Sequence, residues 1–102
     1  MKSTINIKKK QEGGKTTLFI EGSLETNTSP ILTDYLDKEM PNAEELVLDF
    51  EKVDYISSAG LRALLYAQKT MSARGGMTVT HVNEDVMEIF EVTNFTDVIT
   101  IV

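Results

Sequence analysis

Two adjacent serines, Ser57 and Ser58, lie where an apolar segment passes into a helical pattern, within LVLDFEKVDYISSAGLRALL (46–65). The start of a helix exposes backbone N–H groups without intrahelical partners, together with the positive end of the helix dipole. A serine hydroxyl there can cap the helix. A phosphate there would add a charge of about −1.5 to −2, which the dipole stabilises by roughly 0.3–1 kcal/mol. The pair therefore indicates either a helix cap or a phosphorylation site that leaves the fold intact.

The residues after the serines also allow two interpretations. Ala59 and Gly60 are small, so the helix start can pack closely on a sheet, or the backbone of Gly60 can be accessible to a partner. Leu61 begins the apolar face of the helix. Arg62 is either a contact to a partner or phosphate, or a solvated surface residue.

Two sets of polar residues suggest chemistry that we do not favour. A Ser58–His81–Asp49 hydrolase triad can be written, but the chain has no nucleophile-elbow motif and little room for a substrate pocket. Asp49, Glu51 and Asp54 could hold magnesium, yet we expect them on a short loop of an acidic protein, as solvated charges. We expect His81 in mid-strand as a structural or surface residue. The sequence thus predicts a protein that is not an enzyme, with no catalytic residue, no metal and no cofactor.

The composition excludes several classes of function. The chain of 102 residues has no cysteine and one histidine, so thiolate sites and histidine-rich metal clusters are excluded. A net charge of −6 argues against nucleic acid and anionic lipid as partners and favours a basic protein. No apolar run approaches the roughly 20 residues that span a bilayer, and MKSTINIKKK lacks the apolar stretch of a signal peptide. We expect a cytoplasmic monomer that does not bind membranes.

Hydrophobic periodicity and turn signals divide the chain into strands and helices. Two segments flanking a glycine pair predict a hairpin whose first strand lies at a sheet edge. A nearly continuous apolar run predicts a strand covered on both faces. The expected strands are 5–10, 16–20, 46–50 and 77–82, and the expected helices run from N-cap Ser29 to Met40, from Ser58 to Ala73, and from N-cap Asn83 through Phe90. The tail, 95–102, is apolar enough to pack as a strand or a short helix.

This order of elements predicts an α/β fold with a single domain over residues 1–102. The strand–helix–strand unit in the middle of the chain should have a right-handed crossover. The whole then forms a mixed β-sheet of four to five strands with helices packed against it.

Three segments carry a resemblance to a known family. YISSAGLRALL (55–65), with Asp49 and Val53 upstream, resembles the phosphorylation motif of the STAS family of anti-sigma factor antagonists. LFIEGSLET (18–26) is similar to the family's strand that ends in a Gly-x-Leu-acid turn. VMEIFEVTNFTDVITIV (86–102) resembles its closing helix and hydrophobic tail. The resemblance covers essentially the whole chain and implies a STAS-like fold.

The resemblance also implies a function as an anti-sigma factor antagonist. In that family a serine kinase, itself the anti-sigma factor, phosphorylates a serine at this helix start. The unmodified antagonist binds the kinase and frees the sigma factor, and a metal-dependent serine phosphatase resets the modified form. Carried over to this chain, Ser58 is the acceptor with Ser57 as second choice, and Asp49 would end the strand beneath the site. The implied partner-binding residues are Glu25, Ser57, Ala59, Gly60, Leu61 and Arg62.

The chain departs from the family pattern at two positions. Many members have an acidic residue immediately before the acceptor, where this chain has Ser57, and many have Ser or Thr after it, where this chain has Ala59. The family also includes members that bind partners without switching. The alternative function is such a non-switching STAS adaptor, for example a subunit of a lipid-transport ATPase complex, which would use the same helix face to bind a constant partner.

Overall fold

The computed structural model describes residues 4–102, which form five strands and three α-helices. Two short 3-10 turns, Met40–Asn42 and Phe95–Asp97, follow the first and third helices. The strands are β1 (Asn6–Glu12), β2 (Lys15–Leu24), β3 (Glu45–Ile56), β4 (Met77–Thr80) and β5 (Thr100–Ile101), and the helices are α1 (Ser29–Glu39), α2 (Ser58–Ser72) and α3 (Glu84–Val92).

The strands form one mixed sheet in the order β1-β2-β3-β4-β5. β1 and β2 pair antiparallel as the predicted hairpin, whose turn includes Gly13 at a φ of 61°. The other three pairs are parallel. β1 lies at an edge, as the sequence predicted, and the tail supplies the opposite edge. The predicted α/β fold with a mixed sheet is confirmed, with five strands.

The core lies between the sheet and the three helices. Alternate residues of the central strands, such as Leu18, Leu48 and Phe50, are fully buried against apolar residues of all three helices. On the other face of the sheet, Lys8 and Phe19 are exposed. Because this alternation has a period of two, one face of the sheet packs on the helices and the other stays open to solvent.

β3 is longer than the sequence predicted. The expected loop after Phe50 is wrong, because the strand continues to Ile56. The pairing of β3 with β2 shifts register between Phe19 and Glu21 and again between Gly22 and Ser23. Such bulges add residues to one strand and interrupt the alternation of buried and exposed side chains along it. A sequence pattern with a period of two therefore does not reveal the full length of β3.

The bounds of α1 and β4 also differ from expectation. α1 begins after Thr28, not after the predicted cap Ser29. Thr28 Oγ1 accepts a hydrogen bond from Glu25 N (2.8 Å) and donates one to Ser23 O (2.6 Å), which closes the turn between β2 and α1. β4 ends at Thr80, so the prediction of His81 in mid-strand is wrong; its left-handed φ of 57° is incompatible with a strand.

The predicted cap of α3 is confirmed. Asn83 Oδ1 accepts a hydrogen bond from Val86 N at 2.8 Å, and its Nδ2 donates to Val53 O at 2.8 Å. One side chain therefore both starts α3 and ties it to β3.

Candidate functional site

A single residue, Ser57, connects β3 to α2. Its backbone is extended (φ −96°, ψ 179°), its N–H donates to Leu24 O at 2.8 Å, and its carbonyl accepts from Leu61 N at 2.9 Å. The first bond ties the start of α2 to the end of β2, and the second is the first backbone bond of the helix itself. The predicted serine pair therefore lies at a rigid junction between two parallel strands and a helix.

The two serine hydroxyls have opposite environments. Ser57 occupies the N-cap position, yet its side chain makes no capping hydrogen bond. Its Oγ is buried and has no hydrogen-bond partner among the described residues. Ser58, the first residue of α2, is exposed. Of the two serines, Ser58 is therefore the exposed residue at the helix start, whereas Ser57 is half-buried.

Gly60 and Leu61 are buried and hold the helix start in place. A Cβ added to Gly60 would lie 2.6 Å from Ile56 Cγ1 and 2.9 Å from Leu24 Cβ, well inside van der Waals contact. Leu61 belongs to the hydrophobic core and is 8% exposed. Of the two interpretations of Gly60, the structure supports close packing of the helix on the sheet, and both residues offer little surface to a partner.

Exposed residues continue from Ser58 along one face of α2. Ser58, Arg62 and Tyr66 are exposed and spaced by four, so they lie on the same side of the helix. Ala59, Arg62 and Tyr66 also line a groove of about 450 Å³ between α2 and α1. The groove therefore begins next to Ser58 and runs between the two helices.

Tyr66 bridges α2 to α1 across this groove. Its hydroxyl donates a hydrogen bond to Asp37 Oδ1. That hydrogen bond, followed by desolvation and by the negative charge of Asp37, raises the pKa of Tyr66 above its usual value of 10.0. The bond fixes the far end of the exposed helix face.

Glu25 lies close to the helix start, as the resemblance implied. It is exposed and directly follows Leu24, whose carbonyl holds Ser57. Glu25 and Asp54 both line a second cavity of about 650 Å³. The junction is thus flanked by acidic side chains on the strand side and by Arg62 on the helix side.

The structure does not bring together the residues of the hydrolase triad that the sequence allowed, and it does not place the three acidic residues of the magnesium site on a loop. Asp49 lies in the middle of β3, so the expectation that it ends the strand beneath the serines is wrong. At about 3.3 Å per strand residue, Asp49 is roughly 20 Å from Ser58. His81 Nδ1 lies 2.9 Å from Asp49 Oδ2, but the proposed triad lacks its nucleophile. The trio Asp49, Glu51 and Asp54 lies on β3, not on a loop.

No α-helix in residues 4–102 combines the length and apolar character needed to cross a bilayer.

The chain belongs to the STAS domain family: the family model for the STAS domain matches residues 6–102. This assignment confirms the resemblance that the motifs around Ser58 suggested.

One curated relative and three solved structures illustrate the likeness. BtrV of Bordetella bronchiseptica, named as a candidate anti-sigma factor antagonist, is 41% identical over 51 residues, which is 49% of this chain and 44% of that protein. The match therefore spans less than half of that relative's length. An anti-sigma factor antagonist from Mycobacterium paratuberculosis has a TM-score of 0.89 at 17% identity, over 97% of this chain and 86% of that chain.

The anti-sigma factor antagonist SpoIIAA has a similar fold in two states. Its unphosphorylated form matches with a TM-score of 0.73 at 11% identity, covering 95% of this chain and 87% of that chain. The phosphorylated form from Bacillus gives a TM-score of 0.72 at 10% identity, covering 95% of this chain and 91% of that chain. At these identities the structural matches establish the fold.

Proposed function

We propose that this chain is an anti-sigma factor antagonist whose binding to a serine-kinase anti-sigma factor is switched by phosphorylation of Ser58. The observation that carries the proposal is that Ser58 is exposed and is held at the first position of α2 by the bonded junction at Ser57. In its unmodified form the chain binds the kinase and releases the sigma factor. A metal-dependent serine phosphatase reverses the modification, and all of these proteins act in the cytoplasm.

The environments of the two serines favour Ser58 as the acceptor. The kinase must reach the hydroxyl with its phosphate donor, and Ser57 Oγ is buried. Ser57 Oγ reaches the kinase only after a local opening in which its side chain rotates out of the packed position where that atom is buried. Ser58 needs no such opening, so the modification can occur on the folded protein.

A phosphate on Ser58 changes the charge of the surface without a change of fold. Its charge of about −1.5 to −2 lies beside the N-terminus of α2, where the dipole stabilises an anion. Glu25 and Asp54 already make the strand side of the junction acidic. A hundredfold loss of affinity for a partner needs about 2.8 kcal/mol, which repulsion and desolvation at a closed interface can supply.

The proposed docking surface consists of Glu25 and the exposed side of α2 from Ser58 to Tyr66. Ala59 and Arg62 lie between these ends, next to the groove shared with α1. Gly60 and Leu61 are buried on the opposite side of α2, where they pack this segment against the core. Since the chain carries a net charge of −6, we propose that the partner presents a basic face.

The comparisons support this proposal through two observations. BtrV, which is 41% identical to this chain over 51 residues, is named for anti-sigma factor antagonism. SpoIIAA has the same fold in a phosphorylated form and an unphosphorylated form, so this fold can carry a phosphate.

Mass spectrometry tests the acceptor. Wild type, Ser58→Ala and Ser57→Ala are incubated with ATP and the serine kinase encoded nearest to this protein, and the phosphate is located by peptide analysis. We expect one phosphate on wild type and on Ser57→Ala, and none on Ser58→Ala. No phosphate on wild type, with the kinase active on another substrate, would contradict the switch for that kinase.

A binding measurement tests the consequence. We expect the kinase to bind the unmodified chain and Ser57→Ala equally, and to bind the phosphorylated chain about a hundredfold more weakly. An unchanged affinity after complete phosphorylation would instead fit the constitutive adaptor.

A further inference from the structure

A second cluster of polar side chains lies on the open face of the sheet, away from the serine junction. Ligand atoms of Asp49, Glu51 and His81 all lie within 4.8 Å of one another. Two of these residues are on β3, and the third follows β4. Because Asp49 pairs with Thr80 in the β3–β4 register, the residue after β4 arrives beside Asp49. The proposed docking surface uses none of the three.

Asp49 is the fixed member of this cluster. Its side chain is only 10% exposed. Its Oδ1 accepts a hydrogen bond from Glu51 N at 3.0 Å, and its Oδ2 lies 2.9 Å from His81 Nδ1. A carboxylate oriented by a backbone N–H keeps its second oxygen aimed in one direction, as carboxylate ligands of metals usually do.

His81 and Glu51 form the accessible side of the cluster. The His81 side chain is 63% exposed although its Nδ1 contacts Asp49, and Glu51 is exposed as well. An ion can therefore reach all three donors from solvent without any opening of the fold. The exposed Glu51 carboxylate can adjust its position by side-chain rotation alone.

The spacing of the fixed pair fits two ligands of one ion. With metal–ligand bonds of about 2.0–2.1 Å, two ligands at octahedral to tetrahedral angles lie about 2.9–3.4 Å apart. The Nδ1–Oδ2 distance is 2.9 Å. An ion can therefore replace the hydrogen bond between the two side chains without separating the two atoms, provided that each side chain turns its donor atom toward the ion.

We propose that Asp49, Glu51 and His81 form a binding site for a divalent first-row transition ion of the Zn²⁺ type. One imidazole and two carboxylates suit Zn²⁺, Ni²⁺ or Cu²⁺, whereas Mg²⁺ and Ca²⁺ prefer oxygen ligands alone. Three protein ligands leave a position for water. Lys8 and Lys52 line the adjoining cavity of about 250 Å³ together with Glu21, Asp49 and Glu51, and their charges weaken the site.

The single histidine of the chain makes a direct test possible. The ring resonances of His81 are followed by NMR while ZnCl₂ is added to the full chain, and affinity is measured by calorimetry. We expect saturable shifts of the His81 ring with one Zn²⁺ per chain, and no such shifts with MgCl₂. His81→Ala and Glu51→Gln, both at exposed positions, should weaken Zn²⁺ binding at least about tenfold.

Asp54→Asn is the matched control, because Asp54 is an exposed acid of the same strand outside the cluster. We expect it to retain the wild-type affinity for Zn²⁺. The inference is overturned if His81 does not respond to Zn²⁺ up to millimolar concentration, if Mg²⁺ produces the same shifts, or if Asp54→Asn weakens binding as much as His81→Ala.

Discussion

Ser57 and Ser58 show how far the environment decides what a side chain does. Both are serines at a helix start, where a hydroxyl usually accepts a backbone hydrogen bond. Ser57 occupies the cap position without making that bond, and its Oγ is buried. Ser58 is exposed. The sequence could place the pair at the junction, but burial of one hydroxyl is a property of the packed neighbours.

A stability measurement distinguishes Ser57, an N-cap residue that makes no capping hydrogen bond, from Asn83, which makes one. Since Ser57 Oγ has no hydrogen-bond partner within residues 4–102, Ser57→Ala removes a buried unsatisfied hydroxyl, and we expect the free energy of unfolding to fall by no more than about 0.5 kcal/mol. The control is Asn83→Ala, which removes two hydrogen bonds of 2.8 Å, and we expect it to cost about 1–2 kcal/mol. Urea denaturation measures both; equal losses would contradict this difference.

At the scale of elements, the start of α2 is held by close contact with the ends of β2 and β3. Gly60→Ala places a methyl group 2.6 Å from Ile56 Cγ1 and 2.9 Å from Leu24 Cβ. We expect the crowding to lower the free energy of unfolding by about 1–3 kcal/mol. Ser58→Ala, an exposed change two residues away, should stay within about 0.5 kcal/mol. A neutral Gly60→Ala in the same urea experiment would show that the helix can shift without cost.

We expect the stability contributed by the bond from Tyr66 in α2 to Asp37 in α1 to depend on pH. The pKa of Tyr66 is raised in the folded protein, so the folded state binds this proton more tightly than the unfolded chain. The stabilisation that the protonated Tyr66 hydroxyl gives the folded state is complete below pH 10.0, and it is lost as the pH rises through the raised pKa of Tyr66.

Comparison with a phenylalanine variant isolates this contribution. Between about pH 8 and about pH 11, we expect the urea midpoint of wild type to fall further than that of Tyr66→Phe, which cannot ionise. The other ionisable groups are common to both proteins and cancel. Parallel losses would mean that the bond to Asp37 has no effect on stability.

The helices and the hairpin could be predicted from the sequence. The β-bulges in β3 and the left-handed backbone of His81 could not. The hairpin, the three helices and the Asn83 cap follow from spacing and turn residues. β3 ran beyond its expected end because two bulges place charged residues such as Glu51 and Asp54 inside the strand. The pairing of His81 with Asp49 depends on the β3–β4 register and a left-handed backbone, which composition does not reveal.

At the scale of the whole molecule, one hydrophobic cluster joins the helices and the sheet. The Cα radius of gyration is 12.4 Å, close to the value of about 13 Å for a compact domain of 100 residues. We therefore propose that residues 1–102 act as a single domain that unfolds cooperatively.

Tyrosine fluorescence and circular dichroism test this proposal. The chain has no tryptophan and three tyrosines, which lie in α1, β3 and α2 at Tyr35, Tyr55 and Tyr66. We expect the fluorescence transition in urea to coincide with the loss of far-ultraviolet dichroism. Two separate midpoints would divide the chain into independently folding parts.

Because a single residue, Ser57, connects β3 to α2, the proposed acceptor Ser58 does not lie on a flexible loop. Many kinases read an extended substrate segment, but Ser58 can extend only if the first turn of α2 unwinds and withdraws Gly60 and Leu61 from the core. The proposed kinase must therefore read a folded surface. A peptide of residues 46–65 would be a poor substrate, and heating or urea that unfolds the chain would abolish its phosphorylation even though the acceptor became fully exposed.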